Sequence, residues 1–160
     1  MDDKIYGVKG GQINGVVIKR ISKISDERGS ILHMLKEEDK EFKRFGEIYF
    51  SSIYPGVIKG WHIHSKMELN YLVVIGDIKL VLYDNRKGSK TKGNLMEVFM
   101  GERNNLMVKV PKNVWNGFKG IGLKEAVLAN CSSYSHRLDE ISRLDPFSKE
   151  IPYDWSLING

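Results

Sequence analysis

A chain of 160 residues with 25 Lys and Arg against 20 Asp and Glu, formal net charge +5, is 41% hydrophobic and 28% charged. That balance suits one soluble globular domain over 1–160 and excludes a disordered tail or a collagen-like repeat. No window approaches eighteen consecutive apolar residues, so no membrane span is expected, and the acidic opening Met1-Asp2-Asp3-Lys4 is unlike a secretory leader. The single cysteine, Cys131, cannot form an internal disulfide and fits a reducing, cytoplasmic setting. Positive charge is scattered over Lys19-Arg20, Lys43-Arg44, Arg86-Lys87, Lys90 and Lys92 rather than gathered on one element. This argues against a nucleic-acid partner and leaves room for an anionic small-molecule site.

In chain order, short apolar runs alternate with glycine and asparagine. Val16 to Ile18 comes first, then Ser30 to Leu35, Gly46 to Phe50 and Val57 to Ile63. Leu69 to Ile75 and Ile78 to Tyr83 are separated by Gly76-Asp77, a hairpin signal. Leu95 to Met100 and Leu106 to Val110 flank the polar stretch Gly101-Glu102-Arg103-Asn104-Asn105, and Ala126 to Cys131 closes the series. The runs are short and rich in β-branched and aromatic residues, and no helical period runs through the middle, so roughly ten strands in a sandwich or small barrel are expected. The charged segment Lys36 to Phe42 is expected to form a short helical turn. The irregular end after Tyr134, with Pro146, Pro152 and Trp155, reads as an arm packed outside the barrel.

The stretch that carries chemistry is Gly56-Val57-Ile58-Lys59-Gly60-Trp61-His62-Ile63-His64-Ser65-Lys66-Met67-Glu68. On a strand, His62 and His64 point to one face and Trp61 and Ile63 to the other. That face is either the barrel interior, where two imidazoles share an enclosed site, or solvent at a sheet edge. The spacing of Gly56, the His-x-His pair, Glu68 and Gly76 resembles the first cupin motif. Pro111-Lys112-Asn113-Val114-Trp115-Asn116-Gly117-Phe118 resembles the second, with Asn116 in place of the histidine. The resemblance implies an all-β, cupin-type double-stranded β-helix, a jelly-roll barrel, with a short irregular C-terminal arm. His62, His64 and Glu68 could supply three mixed N and O ligands to a transition metal. Asn116 is a poor fourth, so neither metal nor any other cofactor is expected.

Six blocks in order resemble the dTDP-4-dehydrorhamnose 3,5-epimerase family of that superfamily. Asp26-Glu27-Arg28-Gly29 is similar to its D-x-R-G, and Phe45 to Ser51 to F-x-Q-x-N-x-S with Glu47 for Gln and Tyr49 for Asn. Gly56 to His62 is similar to G-V-L-R-G-L-H, and Asp84 to Ser89 to D-L-R-x-x-S. Val110 to Phe118 resembles I-P-x-G-F-A-H-G-F, and Asp145-Pro146 with Ile151 to Trp155 resembles the closing D-P…I-x-W. The resemblance implies an isomerase acting on a nucleotide-linked 4-keto-6-deoxy sugar in surface polysaccharide synthesis. A histidine, matched by His62, removes a proton beside the 4-ketone. Lys59 matches a cation near the substrate, and Arg28 an arginine that reaches the nucleotide phosphates. Glu47, Tyr71, Trp115 and Asn116 are the further substrate-binding candidates, Trp115 by stacking or as barrel wall, and His64 is a second acid or base. Tyr49 and Tyr71 are candidate acids. The resemblance also implies a homodimer in which an N-terminal strand joins the neighbouring subunit.

The pattern departs from the family in three places. No tyrosine stands near Leu128 or Ala129, where the family's acid lies; Leu69 or Asn70 replaces a lysine; and Gly160 precedes the position of the aspartate that pairs with the family's histidine. Gly60 to Lys66 also resembles the G-x-H-x-H-K segment of sugar-nucleotide 3,4-ketoisomerases, which share the substrate class and the first proton abstraction. A non-catalytic cupin that binds a sugar nucleotide, and a metal cupin, are the readings from other classes.

Overall fold

The computed structural model describes residues 5–158 and contains strands, turns and loops, with no helix among the described residues. In chain order the strands are β1 (Val8–Gly10), β2 (Val17–Arg20), β3 (Lys23–Asp26), β4 (Gly29–Leu32), β5 (Glu47–Ile53) and β6 (Ile58–His64). They continue as β7 (Leu69–Ile75), β8 (Asp77–Tyr83), β9 (Leu95–Gly101), β10 (Leu106–Val110), β11 (Trp115–Gly120), β12 (Ala126–Ser132) and β13 (Ile141–Arg143). A six-stranded sheet runs β1-β9-β8-β11-β6-β13 and faces a five-stranded sheet running β2-β10-β7-β12-β5, while β3 and β4 form a separate ribbon. Every pairing is antiparallel. This is the jelly-roll barrel that the cupin resemblance implies.

Gly76-Asp77 does not make a hairpin. β7 pairs with β10 and β12, whereas β8 pairs with β9 and β11, so the chain crosses there from one sheet to the other. Gly76 has φ 73°, and a Cβ on it would lie 2.7 Å from Ala126 Cα. Positive φ and close packing, rather than a two-residue turn, are what require glycine at this corner. Lys36 to Phe42 forms two successive turns, with Asp39 N–H bonded to Lys36 O at 3.1 Å and Phe42 N–H to Asp39 O at 3.0 Å.

Period-2 alternation sorts the side chains. Leu69, Tyr71 and Val73 of β7, and Ile78, Leu80 and Leu82 of β8, enter the core between the sheets. Each fully buried aliphatic side chain contributes about 1.5–3 kcal/mol. The outer face of the six-stranded sheet would expose Trp61, Val81 and Trp115. Leu144, Ile151, Tyr153 and Trp155 of the C-terminal arm cover it. Trp61 and Trp155 stack at 4.8 Å between ring centroids, and both indole N–H groups donate to Pro146 O, at 3.1 and 3.0 Å. The closing segment Asp145-Pro146…Trp155 is therefore a clamp behind β6. Asp84, fully buried, accepts hydrogen bonds from Arg86, Ser89 and Thr91, so the Asp84 to Ser89 block holds its own loop.

Candidate active site

Where β6 passes β11 the ladder slips. Asn116 pairs with His62, but Phe118 pairs with Lys59, so Gly60 and Trp61 together oppose Gly117. A bulge of this kind resets the alternation. Lys59 and His62, three apart, both reach the same cavity, as does His64. The bulge needs two glycines in contact: a Cβ on Gly117 would lie 2.9 Å from Gly60 Cα and 3.3 Å from the Trp155 ring.

The cavity, about 620 Å³, lies between the two sheets. One wall carries Lys59, His62, His64 and Arg143; the other carries Glu47, Tyr49, Ser51 and Tyr71; Met67, Phe118 and Leu128 supply apolar surface. The five predicted residues His62, His64, Glu47, Lys59 and Tyr71 thus meet in one place. Lys59 Nζ donates to Ser51 Oγ at 3.1 Å and to Ser52 O, which holds it against the β5 side.

The other three predicted residues do not line the cavity. Trp115 sits on the outer face with the Trp61 cluster, because it alternates with the inward Asn116; it walls the barrel. Asn116 is 1% exposed and lies behind Tyr71, accepting its hydroxyl hydrogen at 3.1 Å. Arg28 sits in the turn between β3 and β4, with a side chain 85% exposed and bonded to Asp26. Within one chain it touches no part of the cavity. Glu68 is also elsewhere: its Oε2 lies 2.9 Å from Lys109 Nζ, so the three ligands of the metal reading are not assembled. Among the described residues no group of three or more His, Cys, Asp or Glu could hold a metal ion.

Several further positions around the cavity were given no role from sequence. Arg143, opposite His62 on β13, adds a second cation. Glu140 is buried; one oxygen bonds His64 Nδ1 and the other accepts N–H of Lys66 and Met67, at 3.1 and 3.2 Å. Burial would raise its carboxyl, but the bonds from His64, Lys66 and Met67 outweigh this and keep it ionised. His136, exposed as its polar surroundings suggest, nevertheless joins the cavity lining. Asn113 stands at the glycine position of the Pro111 segment with φ 63°, a conformation asparagine tolerates better than most residues.

His62 Nε2 lies 3.2 Å from Tyr71 Oη. Desolvation, with help from His64 and Arg143, lowers the His62 pKa to about 3, so the ring is neutral at pH 7. Burial, reinforced by Tyr49, pushes the Tyr71 phenol well up. Tyr49, paired with Asn130 across β5 and β12, accepts a hydrogen bond from Asn130 Nδ2 at 3.0 Å. Burial raises its phenol too, which keeps the proton on it. A cavity with neutral imidazole, protonated phenol and two cations can remove a carbon-bound proton and stabilise the oxyanion left behind.

A model of the family described as dTDP-4-dehydrorhamnose 3,5-epimerase matches residues 11–159. The chain belongs to the dTDP-4-dehydrorhamnose 3,5-epimerase family. It is accordingly placed among isomerases, as a sugar-nucleotide epimerase. It is 34% identical over 142 residues to the spore coat polysaccharide biosynthesis protein SpsL of Bacillus subtilis, covering 89% of this chain and 91% of that protein. It is 32% identical to the probable low-salt glycan biosynthesis epimerase Agl13 of Haloferax volcanii, covering 89% of each. Among solved structures, a dTDP sugar isomerase from Desulfovibrio desulfuricans superposes with a TM-score of 0.87 at 38% identity, covering 89% of this chain and 92% of that one. The epimerase fold is therefore intact in this chain.

Proposed function

We propose that this epimerase inverts C3, C5 or both of a nucleotide-linked 4-keto-6-deoxy sugar, in the cytoplasm, for a surface polysaccharide. The observation that carries the reading is the pairing of two inward histidines on one wall with Tyr49 on the opposite wall. The 4-ketone acidifies the neighbouring C–H bonds. A histidine takes the proton, Lys59 or Arg143 stabilises the enolate oxygen, and a phenol returns a proton to the other face. Tyr49 fits this acid role. Asn130 Oδ1 accepts from Asn70 N–H at 3.1 Å, so its Nδ2 faces Tyr49 and Tyr49 keeps its own hydrogen free. The names of the relatives, spore coat polysaccharide and low-salt glycan, support the surface-glycan context.

The test is incubation with a panel of 4-keto-6-deoxy sugar nucleotides in D₂O. Deuterium at C3 or C5 with an inverted product is expected. No incorporation with any nucleotide would leave only the non-catalytic binding reading. Migration of the ketone to C3 would favour ketoisomerisation, the second activity compatible with the same first step.

The working unit we propose is a homodimer. Ile24 and Ile31 on the β3–β4 ribbon are each 58% exposed, and Ile48 and Phe50 on the outer face of β5 are 51% and 65% exposed. An apolar surface of this kind on a small domain suits a second copy. The ribbon would then carry Arg28 to the neighbour's nucleotide phosphates, which explains why it lies off its own cavity. Arg28→Ala is expected to raise KM about 10-fold, with kcat less affected. At low substrate, mixing it with a chain lacking both histidines should restore about a quarter of wild-type activity through hybrid dimers. No restoration would place Arg28 in its own subunit's site or outside any site.

A further inference from the structure

Two hydrogen-bond chains fix the tautomers of the two histidines, and they fix them differently. In the first, Asn116 Nδ2 donates to the carbonyl oxygens of His62 and Val114, at 3.2 and 3.5 Å. Carbonyls only accept, so the amide orientation is set and Oδ1 faces Tyr71. Tyr71 donates its one hydrogen to that oxygen. The contact between His62 Nε2 and Tyr71 Oη must then be donated by the imidazole. His62 is therefore the Nε2–H tautomer, and every group along its chain is neutral. In the second, the Glu140 side chain is 1% exposed, with both oxygens engaged and the carboxylate ionised. His64 Nδ1 is its donor, so His64 is the Nδ1–H tautomer and Nε2 carries the lone pair.

We propose that His64, oriented by Glu140, is the base of the epimerisation, and that His62 binds the substrate as a neutral imidazole. This rests on the epimerase reading above. The physical reason lies in where positive charge can form. A proton arriving on His64 Nε2 makes an imidazolium against a buried carboxylate, a pair with no net charge. A proton arriving on His62 makes an uncompensated cation in a desolvated wall, next to His64 and Arg143. The other titratable groups on the cavity are Lys59, His136, Tyr49, Tyr71 and Glu47. Lys59 and Arg143 oppose charging of either ring, and among the described residues only His64 has a carboxylate in direct contact. In the step itself the C–H bond breaks and its electron pair moves into the C=C bond of the enolate, leaving negative charge on O4. The proton goes to His64 Nε2, and Glu140 stays ionised. Tyr49 then protonates the opposite face, and exchange with solvent discharges His64 and reprotonates Tyr49. Glu140 is a positioning residue in this scheme, since it acts only through His64.

The experiment compares solvent-deuterium incorporation into a 4-keto-6-deoxy sugar nucleotide by the wild type, His64→Asn, His62→Asn, Glu140→Gln and Glu140→Asp. His64→Asn should fall at least tenfold further than His62→Asn. Glu140→Gln should lose about 10²-fold or more in kcat. Its acid limb in kcat/KM should move to lower pH, because the imidazolium loses its carboxylate, and Glu140→Asp should recover part of both. A merely structural carboxylate would not move the acid limb. Imidazole ¹⁵N spectra of the wild type read the tautomers without turnover, whatever the variants do to folding. His64 should be Nδ1–H, while His62 should stay Nε2–H and neutral from pH 5 to 8. The reverse tautomers, a His62→Asn protein more damaged than His64→Asn, or an unmoved acid limb in Glu140→Gln would overturn the assignment. No incorporation by the wild type with any nucleotide would instead remove the epimerase reading on which it rests.

Discussion

A Tyr49→Phe protein is expected to go on exchanging the proton beside the ketone while net inversion falls by about 10²–10⁴-fold, the range for loss of a positioned general acid. Tyr49 stands on the five-stranded sheet and the histidines on the six-stranded sheet, so the two can address opposite faces of a sugar ring held between them. Its oxygen is already held by Asn130 Nδ2 at 3.0 Å, which leaves the phenolic hydrogen to point into the cavity. Burial raises the phenol's pKa and keeps that hydrogen in place at neutral pH. Phenylalanine preserves the ring and removes the hydroxyl, and with it both the transferable proton and the acceptor for Asn130 Nδ2. The proton taken by histidine can then return only to the face it left, which gives deuterium without inversion. Following deuterium and product configuration in one NMR sample separates the two steps. Inversion retained to within about threefold would remove Tyr49 from the acid role and point to water or Tyr71.

The same residue shows how much of the site was legible in the sequence. That His62 and His64 share a face followed from period 2, which left open whether the face is inward; Lys59 and Glu47 came from resemblance, and Tyr71 was a candidate as a strand tyrosine. Tyr49 was one of two candidate tyrosines in the sequence, and only strand pairing sets it apart from Tyr71 as the proposed acid. The family position near Leu128 is on β12, and the structure supplies a phenol from the adjacent β5, where Tyr49 faces Asn130. Pairing across seventy or more residues leaves no local trace. Glu140 was hidden for the same reason: it lies just before the short strand β13, which pairs with β6 and brings it to His64. A carboxylate in the run Arg137-Leu138-Asp139-Glu140 reads as surface charge until that pairing is known.

The fold was legible wherever local physics suffices. Short β-branched runs gave the strands, and the aromatic C-terminal arm was read as an outer layer, which Trp155 is. One local signal misled. Gly76-Asp77 reads as a hairpin, but a sheet crossing also needs a glycine at positive φ, and the dipeptide cannot tell the two apart. Alternation through β6 puts Lys59 with Trp61 on the outer face. The bulge at Gly60-Trp61 opposite Gly117 returns Lys59 to the cavity, and its signature is a pair of glycines on different strands. Trp115 follows from the same alternation: with Asn116 inward, its neighbour must join the outer cluster.

Because that outer cluster backs β6, the strand that carries both histidines, Trp155→Ala should cost both stability and the site. Trp155 is 2% exposed, tilts against Trp61 at 4.8 Å and meets Tyr153 at 4.9 Å edge-on. Truncating a buried tryptophan removes about 3–5 kcal/mol. For a chain of this size that corresponds to a melting temperature lower by about 10 °C or more. Part of the loss is polar, since Pro146 O keeps only the Trp61 N–H donor once the Trp155 indole is gone. The functional consequence follows from position: Trp61 is the residue between Gly60 and His62, and its packing against Trp155 holds the bulge that turns Lys59 and His62 into one cavity. Thermal melting should show the loss directly, and kcat/KM at 25 °C should fall further than for a comparably destabilising change at a buried residue that does not line the cavity, such as Met100→Ala in β9. A melting temperature within about 2 °C of wild type would mean the arm is not part of the cooperative fold. Equal effects of Trp155→Ala and Met100→Ala on kcat/KM would mean that the clamp serves stability alone and the bulge holds its shape without it.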